Sequence, residues 1–408
     1  MAPNEGDALE GLRRSEDALR GYAEQRGLVL RSESPWPGYV PAEQQTGPVR
    51  HAIWSLAGVL PGGAVGRLRH QAVYGQTLGI DIAGQHTIMV CRMPETIGYV
   101  PMLCIRPAEL GSGLYYWGGD QRPRDSAKFE SIELDRRYIV DIAKAQGQNW
   151  LFQLFSPSLV DWLARETPPD FGCKLELGVF TSETPQWRGQ SPSGEVDPAQ
   201  LDLLAETGGK VAGRIRDEVL EEEGIGGRPD SLAAYAEWAD AASHGRIVGT
   251  ILKLAGGIAK DDSFKQYGEA RGMRAESPAE FHARHLRLPL PGTATDVVTG
   301  ELPGGKLTGS LAWLKFSSEV DVEHNYVAAV AESGRELAAA WVDVDDVGVP
   351  GVGDGLPPAA IEAASAGGYG ITSGGKSAAV YMRADDSPSG DAIDGFAARA
   401  AEILTPLL

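Results

Sequence analysis

Three stretches near the start of the chain recur, in the same order, in its second half. "GYAEQRGL" at 21–28 is echoed by "QYGEARGM" at 266–273, so Tyr22, Glu24, Arg26 and Gly27 match Tyr267, Glu269, Arg271 and Gly272. "ESP" at 33–35 recurs at 276–278, and "GVLPGGAVG" at 58–66 is matched by "GELPGGKLT" at 300–308. One such match is within chance. Three with their order and spacing kept predict a tandem duplication of one module. Each copy must then bury its own core, and 408 residues suffice for two or three cores at roughly 100–200 residues each.

The pattern predicts α+β modules, each a mainly antiparallel sheet flanked by helices. A helix over 8–26 carries Leu9, Leu12, Ala18, Leu19 and Tyr22 at near-helical spacing, and Gly27 is placed to end it. Strand-like runs follow: "AVYGQTLGIDIA", "HTIMVCRM", "YVPMLCIRP", "GLYYWG" and "RRYIVDIA". Ser156 and Pro157 start a helix to about 165. A hairpin near 171–181 and a polar closing helix over 197–224 complete the first module. In the second, "FSSEVDVEHNYVAAVA" (316–331) aligns loosely with "FESIELDRRYIVDIA" (129–143). "LPPAAIEAASAGGYGITSGGKSAAVYM" (356–382) aligns with "SPSLVDWLARETPPDFGCKLELGVF" (156–180), and a helix over 390–408 closes the chain. "LGIDIAGQHTIMVCRMP" and "GYVPMLCIRP" find no clear counterpart. The expected organisation is a first α+β module over 1–224, a linker and bridging helix over 225–262, and a second, shorter α+β module over 263–408.

The formal net charge of −19 argues against nucleic acid and anionic lipid as partners, since both require basic surface. It fits a soluble protein, or one with a basic partner. No stretch approaches the ~20 apolar residues of a membrane span. The N-terminal segment reads as a polar amphipathic helix and not as a signal peptide. Cys91, Cys104 and Cys173 are widely spaced, which suits a reducing, cytoplasmic setting and gives no disulfide frame.

One motif points to nucleotide chemistry. Gly370, Gly375, Lys376 and Ser377 fit G-x-x-x-x-G-K-[ST], the phosphate-binding loop. That loop works between a buried strand and an immediately following helix, whose N–H groups hold the phosphates. Here "AAIEAASAGGY" precedes it and reads as helix, while "AAVYMRADD" follows it and reads as strand. The favoured reading is a glycine-rich hairpin turn with an exposed Lys376, and no cofactor is expected. His282 and His285 could share a metal at i, i+3, but no third ligand is near and a surface helix turn is the better reading. Asp343, Asp345 and Gly348 sit at calcium-loop offsets without the Glu such a loop needs, so a solvated strand end is expected. Trp150, Phe152, Phe155 and Trp162 read as core packing.

Phe129, Glu130, Ser131, Glu133, Arg137, Tyr138, Val140 and Pro157 carry a family pattern: Phe-Glu-Ser, then Glu, Arg-Tyr and Val, then a helix beginning near a Pro. Over about residues 15–185 the chain resembles a family of uncharacterised, mostly actinobacterial proteins that share it. Other members often carry membrane segments. The family has no established activity, so the resemblance implies a fold unit and no reaction. The leading expectation is therefore a non-enzymatic cytoplasmic binding or scaffold protein working through protein contacts. A nucleotide switch using Gly370–Ser377 and a small-ligand pocket walled by Trp150 and Trp162 are the alternatives, and homo-oligomerisation is open.

Overall fold

A computed structural model describes residues 5–33, 49–77, 80–93, 96, 100, 102–108, 124–143, 151–152, 154–168, 171–176, 178–183, 196–224, 263–285, 287–304, 307–318, 322–343, 353–384 and 389–408. The fold is α+β, with two antiparallel sheets. In the first half, helix α1 (Glu5–Arg26) is followed by strands β1 (Val29–Glu33), β2 (Val49–Val59), β3 (Val65–Thr77), β4 (Ile80–Arg92), β5 (Met102–Pro107) and β6 (Arg124–Ala127). Then come α2 (Ile132–Arg137), β7 (Tyr138–Ala143), α3 (Pro157–Arg165), β8 (Gly172–Glu176), β9 (Val179–Glu183) and α4 (Pro198–Gly224). The second half holds α5 (Ser263–Ala270), β10 (Arg274–Glu276), α6 (Pro278–Arg284), β11 (Thr293–Glu301), β12 (Thr308–Ser318) and β13 (Val322–Val342). It ends with α7 (Pro358–Ala366), β14 (Gly370–Ala384) and α8 (Gly390–Leu404). The strand orders are β1-β2-β3-β4-β9-β8-β5-β7-β6 and β10-β11-β12-β13-β14. The linker and bridging helix expected over 225–262 lie outside the described residues, as does "GLYYWG".

Both sheets begin alike. Helix α1 ends at Gly27 (φ +66°), and Leu28 N donates back to Ala23 O at 2.9 Å. Helix α5 ends at Gly272 (φ +69°), and Met273 N donates to Gly268 O at the same distance. Each is a glycine-terminated helix whose last carbonyls are satisfied by the turn that starts the edge strand. The next hairpin pairs glycine with glycine, Gly58 opposite Gly66 and Gly300 opposite Gly309. A Cβ on Gly66 would strike the Val90 carbonyl, and one on Gly309 the Val330 carbonyl. Both turns rest on the closing helix of their half: Gly62 faces the Glu206 backbone on α4, and Gly304 faces Ala398 on α8.

Two expectations need correction. "AVYGQTLGIDIA" is not one strand, because β3 ends at Thr77 and β4 begins at Ile80, antiparallel to it. The loose pairing of 129–143 with 316–331 also fails on topology. β13 is the fourth strand of its sheet, next to β12, and holds the place that β4 holds beside β3. Residues 138–143 are instead β7, near the far edge of the larger sheet.

One face of the larger sheet buries Trp54, Leu56, Leu68, Met89 and Phe180 against Leu12 and Leu19 of α1 and Leu204 and Val211 of α4. Leu134 of α2 and Leu163 of α3 extend this core over β7 and β8. The smaller sheet is buried on both faces. Val298, Val327 and Val380 pack with Phe396 and Leu404 of α8, while Ala312, Ala328 and Tyr381 pack with Phe281 of α6.

Candidate functional site

The phosphate-loop motif sits inside a strand. Gly370 to Ser377 belong to β14, which pairs with β13 through Ile371↔Val342, Gly375↔Leu337 and Ser377↔Glu332. The register slips twice there, so the bulge lies in β13 and the motif is neither a hairpin turn nor a loop capped by a helix. Gly370 is glycine because a Cβ would enter the Tyr381 ring, and Gly374 because one would meet the Arg287 carbonyl. Gly375 takes a left-handed φ of +60° beside Arg287. Lys376 alone points outward, exposed. Ser377 is buried, with its hydroxyl 2.7 Å from His285 Nδ1. The motif's glycines and Ser377 thus answer to packing, and its backbone runs as strand.

His282 and His285 are not on a surface turn. Both are buried, one ring turned to the Ala294 N–H through Nε2 (3.0 Å) and the other to Ser377. Burial lowers the pKa of His282 to about 4. It also lowers that of His285, together with Arg284 and His282, to about 3, so both rings are neutral. Among the described residues no group of three or more His, Cys, Asp and Glu side chains could hold a metal ion.

Asp343 is not a solvated strand end either. It accepts from Arg67 Nη2 of β3 at 2.6 Å, from Arg92 of β4 and from the Tyr381 hydroxyl of β14. Arg92 Nη1 also donates to the Pro289 carbonyl at 3.0 Å. Burial opposes the charge, but Arg92, Arg67 and the Tyr381 hydroxyl overcome it and hold this carboxyl below the ordinary range. One carboxylate thereby joins the larger sheet to the smaller one. Asp345 and Gly348 lie outside the described residues.

An open site does occur, and it is built by the motif residues of the first half. Glu130 takes φ +54°, a left-handed turn that swings the chain into α2, whose cap is the Ser131 hydroxyl accepting from Leu134 N at 3.3 Å. Arg137 at the end of α2 donates to the carbonyl of Ala164 in α3 and to that of Thr167 just after it, and the Tyr138 hydroxyl lies 2.6 Å from Thr167 Oγ1. Pro157 opens α3 behind the Ser156 cap. These bonds hold α2 beside α3. Between them lies a groove of about 300 Å³ lined by Phe129, Phe152, Phe155, Pro157, Val160 and Ala164, with Ser131, Glu133, Asp161 and Arg165 at its polar rim. Phe129 stacks obliquely on Phe155 (4.4 Å between ring centres) and meets Phe152 edge-on at 5.8 Å. Phe155 is buried, but Phe152 is 50% exposed and Ile132 71%. The expectation that Phe152 is core is therefore corrected.

Trp162 does not line this groove. It packs on the core with Lys210 over its ring, and Trp150 lies outside the described residues. Sequence reading missed α2 altogether. Its six residues end in two arginines and run straight into β7, and the Ser131 cap was the available signal.

No protein-family model matches the chain, and no curated protein sequence matches it. Among solved structures it is similar to the crystal structure of the mycobacterial trehalose monomycolate transport factor A, TtfA, at 12% identity and a TM-score of 0.28, over 51% of this chain and 93% of that one. A likeness at this level carries no argument about function. Among the described residues no helix is long and apolar enough to cross a membrane.

Proposed function

We propose that the chain is a non-enzymatic, cytoplasmic binding or scaffold protein, built from two diverged copies of one α+β module and acting through protein–protein contacts. The observation that carries this reading is the groove between α2 and α3. Exposed Phe152 stands at a site whose backbone is fixed by Ser131, Arg137 and Tyr138. Large apolar side chains held in the open by a rigid frame cost hydration free energy, and such patches are characteristic of binding surfaces. The duplication is supported by the matched helix stops and glycine-paired hairpins of the two halves. Asp343 supports a body in which both modules present fixed surfaces.

The test is quantitative affinity purification of tagged wild type, Phe152→Asp and Lys376→Ala from the cells the protein comes from. Wild type and Lys376→Ala should retain one or a few proteins at constant ratio. Recovery of no protein in constant ratio, together with a bound nucleotide that Lys376→Ala loses, would overturn the reading in favour of a nucleotide switch.

A further inference from the structure

We infer that the α2–α3 groove is a docking site for a peptide segment with one bulky apolar anchor, aromatic or leucine, and a Lys or Arg within four residues of it. The inference rests on the binding-protein reading and names the partner's chemistry. Three features of the groove carry it.

The first is size. About 300 Å³ lies at the bottom of the range for small-molecule pockets and suits one or two large side chains. The second is the floor. Three phenylalanine rings with Pro157, Val160 and Ala164 offer aromatic faces and edges but few polar atoms, which selects an apolar anchor. The third is charge. Among the described residues the only cation lining the groove is Arg165, and its Nε lies 3.1 Å from both Glu133 Oε2 and Asp161 Oδ1. Two carboxylates share one guanidinium, and all three side chains are exposed. The rim therefore keeps a negative excess that a partner's ammonium or guanidinium would complete. That excess adds to a chain of net charge −19.

The same charge disfavours the other occupant an exposed aromatic groove could take, an anionic membrane surface, which repels an acidic rim. An exposed ion pair adds little affinity, so Phe152 carries binding and the rim carries selectivity.

The probe is a library of random twelve-residue peptides displayed on phage, panned on the full chain and counter-selected on Phe152→Asp. Enriched peptides are then synthesised with a fluorescein label and titrated by anisotropy. The expected result is a shared aromatic or leucine with Lys or Arg within four positions. Affinity should fall at least tenfold in Phe152→Asp and in Phe152→Ser, and several-fold in Glu133→Lys. Phe152 is half exposed, so its replacement should leave the circular dichroism and melting temperature unchanged. If one variant fails to fold, the other decides.

Several outcomes would overturn the inference: enriched peptides without a basic residue, peptides indifferent to both groove variants, or binding to phosphatidylglycerol vesicles that Phe152→Asp abolishes. So would a wild-type dimer in sedimentation that Phe152→Asp dissolves, since a second copy would then be the occupant. If the affinity purification yields a protein that Phe152→Asp also retains, the binding reading survives and only the groove assignment falls.

Discussion

In the first half, Asp202 on the closing helix accepts from the Tyr22 hydroxyl at 2.8 Å and from both Nε and Nη2 of Arg26. In the second half, Asp394 on its closing helix accepts from the Tyr267 hydroxyl at 2.7 Å and from Nε and Nη2 of Arg271. Each clamp ties the first helix of a half to its last, and each guanidinium also lies over its own tyrosine ring, at 5.6 Å and 3.9 Å. Burial and the adjoining carboxylate push both phenols up, while the arginine pulls both carboxyls down. Four residues beyond each aspartate the helix takes up the Pro-Gly turn, at Glu206 and at Ala398.

What surrounds the clamps differs. The larger sheet continues past β9 into β8, β5, β7 and β6, and α2 and α3 cover that extension with the open groove between them. The smaller sheet stops at β14, which carries the phosphate-loop motif as packed strand. The contrast teaches that the shared part is the part fixed by internal packing. The part that faces outward, and on the proposed reading does the work, belongs, among the described residues, to one half.

The largest expected effect breaks the link between the halves. Asp343→Ala leaves Arg92 buried, and Arg67 partly buried, without this carboxylate. A buried pair broken from one side costs about 3–5 kcal/mol, and because Asp343 keeps 17% exposure the loss should lie near the lower figure. Urea unfolding followed by circular dichroism measures it, and separate transitions for the two halves would show that this carboxylate couples them. Next come Gly66→Ala and Gly309→Ala. Each added methyl meets a neighbouring strand's carbonyl, so each should cost about 1–3 kcal/mol, and the two costs should agree. Unequal costs would count against the proposed duplication of the hairpin.

Tyr22→Phe and Tyr267→Phe remove one hydrogen bond to a charged acceptor from each clamp. Each should lose about 1.5 kcal/mol in the same unfolding assay, the low end for a bond to a charged group because both sites are only part-buried. Lys376→Ala should change stability by less than about 0.5 kcal/mol, since the side chain is exposed.

Acid should act on both halves in the same direction. His70, His282 and His285 are held neutral by burial, with pKa values lowered to about 3, 4 and 3, so the unfolded chain binds more protons below pH 6.5. Their contribution is complete above that pH and falls as pH drops toward about 3. Asp343, Asp202 and Asp394 have lowered pKa values, and theirs is lost at lower pH, below the ordinary carboxylate range. Thermal midpoints from pH 7 to pH 3 should therefore fall monotonically, and a rise between pH 6.5 and 5 would contradict the assignment of neutral histidines.

Local structure was legible where local chemistry sets it. The apolar spacing of Leu12, Leu19 and Tyr22 marks α1, Gly27 and Gly272 mark the helix stops, and Ser156-Pro157 marks α3. Tertiary pairings were not legible. Asp343 reads as solvated because its partners Arg67 and Arg92 lie in the other half of the chain. His285 reads as exposed because Ser377, its partner, belongs to a strand that sequence reading took for a turn. The exposure of Phe152 depends on where α2 and α3 come to rest. Apolar character alone marked it for the core, and no periodicity marks the difference between Phe152 and buried Phe155.

The comparison between groove and strand can be tested directly with benzoylphenylalanine placed at position 152 or at position 376. Both residues are exposed, and each variant is irradiated in the cells the protein comes from. The account predicts a covalent adduct to another protein from position 152 and none from position 376. An adduct from position 376 alone, or from neither position, would contradict it.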